Sequence, residues 1–299
     1  MKHAIIDSDS LTYAAAFAVE QNRYAAVRES QNVQELLIAG SDYEFAKKLA
    51  EEPGVRVYKR TDVEPLENAI HALRSMLRTI REQIEERFGK PERVTLLLTG
   101  SGNFRDRLAT LARYKFNRVE RAKPVHFGQM RKYLVDELGA KIVHWYEADD
   151  EAAMALTESP ADTLVSSLDK DLLQVPGWHH IHGKGFLRIS EKSGLLRFYM
   201  QALQGDSTDG VPGCKGIGPK KAQAIVLKAA QSATSYTELE RVVWRAIVGA
   251  YRASLDKHGP DACGYNDPEQ AALETARLVY LLRQRPADPS NPPLWEPTK

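Results

Sequence analysis

The sequence predicts an α/β protein, with a parallel-sheet domain over residues 1–197 and a helical region over residues 198–299. Three observations carry this expectation. Short apolar runs alternate with amphipathic stretches up to about residue 190. Acidic residues stand at the ends of those runs, and from about residue 198 the apolar spacing is almost wholly helical.

The run His3–Asp7 reads as a buried first strand ending in an acid. Residues 10–50 carry Ala-rich and Leu-rich helical spacing broken at Gly40, and Pro53-Gly54 marks a turn. Ile70, Leu73, Leu77, Ile80 and Ile84 recur every three or four residues, so an amphipathic helix runs from about Pro65 to Phe88, closed by Gly89 and Pro91. The continuous apolar run Val94–Leu98 suits a central parallel strand. Helical spacing returns at 126–138, a short strand follows at 141–143, and a helix at 148–156 carries acids in its first turn, where the macrodipole favours them. Residues 163–167 form a further strand, and another starts at His180-Ile181. The Pro-rich tail from Pro286 is expected to be loosely ordered, and residues 18–65 carry no readable motif.

With 299 residues, 43% hydrophobic and 27% charged, the chain has the balance of a folded protein. Its two cysteines, Cys214 and Cys263, exclude a disulfide scaffold and a four-cysteine zinc site. No apolar run approaches the roughly 20 residues that span a bilayer. Asp7 and Asp9 fall where a signal peptide needs an apolar core. The expectation is a soluble, intracellular protein with no membrane partner. A net charge of +1 is no basic excess, yet an acidic cluster can offset a basic face within one chain.

Sites in parallel sheets form outside the carboxyl ends of the strands. Acids fall at such ends in three groups: Asp7 with Asp9, Glu147 with Asp149 and Asp150, and Asp169 with Asp171. A fourth group, Asp206 with Asp209, opens the helical region. Converging carboxylates repel unless cations relieve them, and hard oxygen donors suit Mg²⁺ or Mn²⁺. Two such ions can activate water and stabilise a leaving oxygen in phosphodiester hydrolysis. Any one acidic pair could equally be a helix cap; Asp9 and Glu151 are the candidates for a solvated or capping role, and Asp150 could stand behind the ligands.

Gly216-Ile217-Gly218-Pro219-Lys220-Lys221-Ala222 places a tight turn before a helix. Glycines let backbone approach phosphate, the helix N-terminus offers free N–H groups, and Lys220 and Lys221 add charge. The spacing is neither a Walker loop nor a dinucleotide fingerprint. Residues 104–123 are basic and include Arg105 and the segment Tyr114-Lys115-Phe116-Asn117-Arg118. There an aromatic ring can stack on an unpaired base, and the cations Lys115 and Arg118 can hold a phosphate. His126, His144, His179, His180 and His182 lack ligand spacing and are expected to be ordinary residues; Trp145 and Trp178 are expected to pack.

Together these segments resemble the 5′-nuclease family of flap endonucleases and phage 5′→3′ exonucleases. The matching pieces are Ile6-Asp7, Tyr114 to Arg118, Glu147-Ala148-Asp149-Asp150, Asp169-Lys170-Asp171, and Gly205-Asp206 through Ala222, in family order. Asn103-Phe104-Arg105 gives the set a phage-exonuclease character. The resemblance implies a PIN-like parallel-sheet nuclease domain followed by a helix–three-turn–helix DNA-binding region. It implies two ions of Mg²⁺ or Mn²⁺: Asp7, Glu147, Asp149 and Asp169 at the more buried one, Asp171, Asp206 and Asp209 at the second, and Asp150 close to both. It also implies Lys115 and Arg118 on the reacting phosphate and Tyr114 stacked on a base. Residues 205–222 would grip duplex DNA, with K⁺ at the loop. The expected substrate is DNA with 5′ ends or 5′ flaps.

One departure stands out. The family carries an acid after the second core strand, and here Thr99-Gly100-Ser101 has none. A catalytically weakened DNA-structure binder is therefore one alternative, and a PIN-like ribonuclease another. The remaining acids are all present, so the active DNA nuclease is the expected outcome.

Overall fold

Strand β1 (His3–Asp7) forms because Ala4, Ile5 and Ile6 are apolar on both faces and are enclosed to within 1% exposure. The computed structural model describes residues 1–30, 33–118 and 122–298. After β1 the chain continues through α1 (Ser8–Phe17), β2 (Glu20–Ser30), β3 (Val33–Gly40), α2 (Tyr43–Leu49) and β4 (Val55–Val63). Helix α3 (Leu66–Phe88) leads to β5 (Arg93–Thr99) and the short α4 (Arg105–Leu108). Then come α5 (Phe127–Asp136), β6 (Lys141–Val143), α6 (Ala148–Glu158), β7 (Thr163–Ser167), β8 (Gly177–Ile181) and β9 (Gly185–Ile189). The remainder is helical: α7 (Glu191–Gln204), α8 (Pro219–Ala230), α9 (Tyr236–His258), α10 (Pro260–Cys263) and α11 (Pro268–Val279).

The main sheet has the order β6-β5-β1-β7-β8-β9. Its first five strands are parallel, and β9 closes it antiparallel to β8. This is the α/β fold that the alternation predicts. The carboxyl ends of β1, β5, β6 and β7 fall at one edge, which carries the acids into a common region.

Residues 20–30 and 33–40 differ from the helical expectation for residues 10–50. Strands β3, β2 and β4 form an antiparallel sheet, with Tyr24 opposite both Gly40 and Lys59. Helix α1 accounts for the Ala-rich stretch only as far as Phe17. The pairing of β2 with β4 spans a long loop, and nothing local in the sequence announces it.

The chain divides into two compact units, Met1–Asp9 with Ile80–Ala122 and Leu138–Lys299, and Ser10–Thr79 with Lys123–Glu137. This differs from a division at residue 197. The helices after residue 198 share a core with the sheet part: Tyr114 is buried among Phe198, Val211 and Tyr251. Gln174 donates to the Val279 carbonyl (2.9 Å) and accepts from the Leu281 amide (3.1 Å). The tail is also more fixed than its prolines suggest. Trp295 packs edge-on against Phe198 (5.0 Å) and Trp244 (5.1 Å). Among the described residues no helix is long and apolar enough to cross a membrane.

One ion pair ties these parts together. Arg105 (1% exposed) and Asp150 (0%) meet through two parallel hydrogen bonds of 2.7 and 2.8 Å. The guanidinium also donates to the carbonyls of Leu278 and Tyr280, and the carboxylate accepts the amides of Glu147 and Leu282, both at 3.0 Å. Burial opposes the charge on Arg105, but Asp150 beside it holds the guanidinium firmly protonated. Removing one partner strands a buried charge. Arg105→Ala and Asp150→Ala should each cost about 3–5 kcal/mol, and the double variant clearly less than their sum, as read by urea unfolding.

Candidate metal centre

The carboxylates converge where parallel strands end. Asp7 closes β1; its Oδ1 accepts the Asp9 amide (3.0 Å) and its Oδ2 accepts the Ser167 hydroxyl (2.9 Å) at the end of β7. Asp169 follows β7, with its amide donating to Ser167 Oγ (2.9 Å) and its Oδ1 accepting the Asp171 amide (2.8 Å). Glu147 sits at the N-terminus of α6 and accepts from Asn103 Nδ2 (2.7 Å), the Tyr114 hydroxyl (3.3 Å) and Lys115 Nζ. Asp209 accepts from the same hydroxyl (3.0 Å) and the same ammonium (3.4 Å). Asp171 accepts from Gln201 Nε2 (2.6 Å), and Asp206 caps its own turn through the Thr208 amide (2.7 Å).

Asp149 is the exception among these acids. Its Oδ1 is fully enclosed and has no hydrogen-bond partner. Burial pushes the Asp149 carboxyl well above the usual range, and the charges of Asp7, Asp169 and Glu147 push it further. Burial, with Asp169 and Asp206 nearby, raises Asp171 to about 8. These are the marks of oxygen donors gathered with too little positive charge. The donor set fits a hard divalent cation. Among the described residues no three His, Cys, Asp or Glu side chains stand together in position to grip such an ion. The Lys115 ammonium instead bridges Glu147 and Asp209, so cation binding calls for Lys115 to swing out and the carboxylates to turn inward.

Lys115 holds a strained backbone, φ 52°, fixed by its amide donating to the Asp209 carbonyl (2.7 Å). Arg118 ends the short 3₁₀ turn that starts at Phe116; its side chain lies outside the described residues. Three expected roles are corrected. Asp150 spends its oxygens on Arg105 and two amides, so it is not a metal ligand, and Arg105, buried in that pair, is not a DNA contact. Tyr114 is 6% exposed with its hydroxyl on Glu147 and Asp209, so its ring is closed to a base. Phe116 (54%) and Trp145 (51%), which flank the candidate residues Lys115 and Glu147 in the sequence, are exposed aromatics that the sequence reading missed or assigned to packing. Trp178 does pack, edge-on to Phe88 (5.1 Å). His180 and His182 share the Ser166 hydroxyl, and burial lowers both pKa values.

The gap after β5 has a steric cause. A Cβ on Gly100 would lie 2.6 Å from the Val143 carbonyl oxygen and 2.7 Å from His144 Nδ1, so no side chain fits there. Asp9 reaches that strand end instead, its Oδ2 accepting the Thr99 amide (2.7 Å).

The glycine-rich loop behaves as its sequence predicts. Gly216 takes φ 78°, Gly218 caps α8, and Pro219 opens the helix. Lys221 Nζ folds back onto the Gly216 carbonyl (3.0 Å), and the Ser254 hydroxyl donates to the Lys215 carbonyl (2.9 Å). A groove of about 260 Å³ runs from this helix start to Asp171, lined by Lys170, Arg197, Gln201, Pro219 and Lys220. Basic side chains therefore adjoin the acids, as a polyanion carried to a cation site requires.

No family model matches the chain. It is 26% identical over 192 residues to a 5′-3′ exonuclease of Buchnera aphidicola subsp. Schizaphis graminum, covering 59% of this chain and 66% of that protein. It is 31% identical over 155 residues to the flap endonuclease Xni of Shewanella frigidimarina, covering 48% of this chain and 53% of that protein. The chain thus spans just under two thirds of the first relative and about half of the second. A solved T5 5′-exonuclease with bound zinc aligns over 92% of this chain and 100% of its own, with 15% identity and a TM-score of 0.44.

The raised carboxyls carry a pH signature. The folded state holds protons on Asp149 and Asp171 that the unfolded state has released, so stability is present at low pH and is lost as pH rises from about 4 through about 8. In EDTA, Tm should fall between pH 5 and pH 8. Asp171→Asn should flatten that fall and raise Tm at pH 8 by roughly 2–8 °C. Scanning calorimetry across this range checks both; a Tm that climbs with pH would contradict the repulsion.

Proposed function

We propose that the chain is a member of the 5′-nuclease family and a metal-dependent hydrolase of DNA phosphodiesters near 5′ ends, a 5′→3′ exonuclease or flap endonuclease, a reading supported by its similarity to proteins of those two names. The observation that carries the reading is the enclosed, partnerless Asp149 oxygen among the carboxylates of Asp7, Asp169 and Glu147. Asp7, Glu147, Asp149 and Asp169 would hold one Mg²⁺ or Mn²⁺, and Asp171, Asp206 and Asp209 the second. Such cations, when bound, acidify water and offset the charge that builds on the phosphate.

The chain's own residues do the rest. Lys115, drawn off Glu147 and Asp209, places its ammonium on the scissile phosphate, and Arg118 supplies a second cation in the same turn. The free N–H groups at the start of α8, with Lys220, Lys170 and Arg197 around the groove and Lys221 beside it in the sequence, neutralise duplex phosphates without reading sequence. K⁺ at the loop would compete with Lys221 for the Gly216 carbonyl. A second reading, a DNA-structure binder with weakened catalysis, is favoured by the steric block at Gly100.

Cleavage of 5′-labelled duplex and 5′-flap DNA with Mg²⁺, against EDTA and against an RNA 5′ strand, separates these readings. Metal-dependent short products from DNA are expected. Binding without product in Mg²⁺ and Mn²⁺ would leave the binder, and preference for the RNA strand would leave a ribonuclease. Asp149→Asn should abolish turnover while DNA binding survives, and Lys115→Ala should lower kcat by roughly 100- to 1000-fold.

A further inference from the structure

Trp145 occupies a backbone conformation that its side chain disfavours and gains little burial in return. Its φ is 73°, and Lys115 is the other non-glycine residue with positive φ among the described residues. The indole is 51% exposed. The conformation is enforced from outside: the Trp145 amide donates to the Ser101 carbonyl (3.0 Å), and the Phe104 amide donates to the Trp145 carbonyl (2.9 Å). The six-membered ring lies on Gly102, where an added Cβ would come within 2.7 Å of Cε3. The ring therefore rests on bare backbone and shows its remaining surface to solvent.

The location gives this strain a meaning. Trp145 stands two residues before Glu147, and the Ser101–Phe104 loop that pins it also carries Asn103, whose amide holds Glu147. One loop thus sets both the ring and a carboxylate of the metal centre. Strain of this kind persists where the surroundings over-determine it, and it concentrates at ligand sites. A flat, rigid, half-exposed π surface on the loop that also positions Glu147 matches the face of an unpaired nucleobase. We propose that Trp145 is the stacking platform for an unpaired base at the 5′ end of the DNA, a role closed to the buried Tyr114. The proposal rests on the nuclease reading above and adds the residue that receives the base.

The test uses the full chain and a hairpin DNA with a short 5′ overhang carrying 2-aminopurine, with Ca²⁺ in place of Mg²⁺. The wild-type protein should quench the 2-aminopurine emission by stacking. Trp145→Gly should lose the quench and weaken binding about 5- to 100-fold. Its Tm should hold or rise, because glycine accepts a positive φ without strain. Trp145→Phe should keep most of the quench. Trp145→Leu, with the same backbone constraint and no π face, should lose it. A lowered Tm in Trp145→Gly with quench and affinity intact would make the residue structural and overturn the platform, as would full quench in Trp145→Leu. Loss of quench confined to Phe116→Ala would also overturn it. A wild-type protein that binds none of these DNAs overturns the nuclease reading and the platform together; binding indifferent to Trp145 overturns the platform alone.

Discussion

The buried pair of Arg105 and Asp150 fixes what the rest of the structure depends on. Its members belong to elements 45 residues apart, and its outer hydrogen bonds reach residues 278–282. A buried ion pair adds little net stability over an apolar replacement, since desolvation cancels most of its attraction. Its effect here is geometric. Asp150 holds the amide of Glu147 and so orients the first turn of α6, from which Glu147 and Asp149 project. The Arg105 amide donates to Asn103 Oδ1 (3.0 Å), and the other end of that amide group donates to Glu147. The acid centre is therefore clamped from both sides, by the fully buried Arg105–Asp150 pair and by the half-buried Asn103.

Against that rigid frame stands an electrostatic conflict. Asp7, Asp149 and Asp169 approach one another at the sheet edge, and burial intensifies the repulsion felt by Asp149. The fold tolerates this because the elements beneath are fully packed: Ile5, Leu97, Val165 and Ala152 form a closed core under the acids. Stability supplied by the core offsets instability concentrated at the site, as expected where a protein keeps a function rather than its lowest energy.

Much of the frame was legible in the sequence because it is written in local periodicity. Strand β1 ending at Asp7, the α3 heptad-like spacing and the Gly216–Ala222 turn all rest on neighbours within a few residues. The β2–β3–β4 sheet was not legible, because the Ala- and Leu-rich composition of residues 10–50 mimics helical spacing and the pairing of β2 with β4 is long-range. The site was legible as a set of acids at strand ends, but not in its division of labour. Asp149 and Asp150 are adjacent and chemically identical, yet helix geometry turns one toward the carboxylates and the other toward Arg105. Tyr114 is buried where exposure was expected and Phe116 is exposed, and the Lys115 between them takes a positive φ that reverses the chain. No composition or spacing records that reversal.

The same lysine makes the centre behave as an ion exchanger. Its ammonium is covalently tethered beside Glu147 and Asp209, so an incoming cation meets a resident counter-ion at high effective concentration. A monovalent ion gains nothing by that exchange, whereas a divalent ion gains one unit of charge; the site thus sorts by valence before it sorts by size. On the nuclease reading, a phosphate that attracts the ammonium would clear the acids for the incoming cation, and a cation on the acids would free the ammonium for phosphate. On that reading, substrate and metal would then strengthen each other's hold by the same factor.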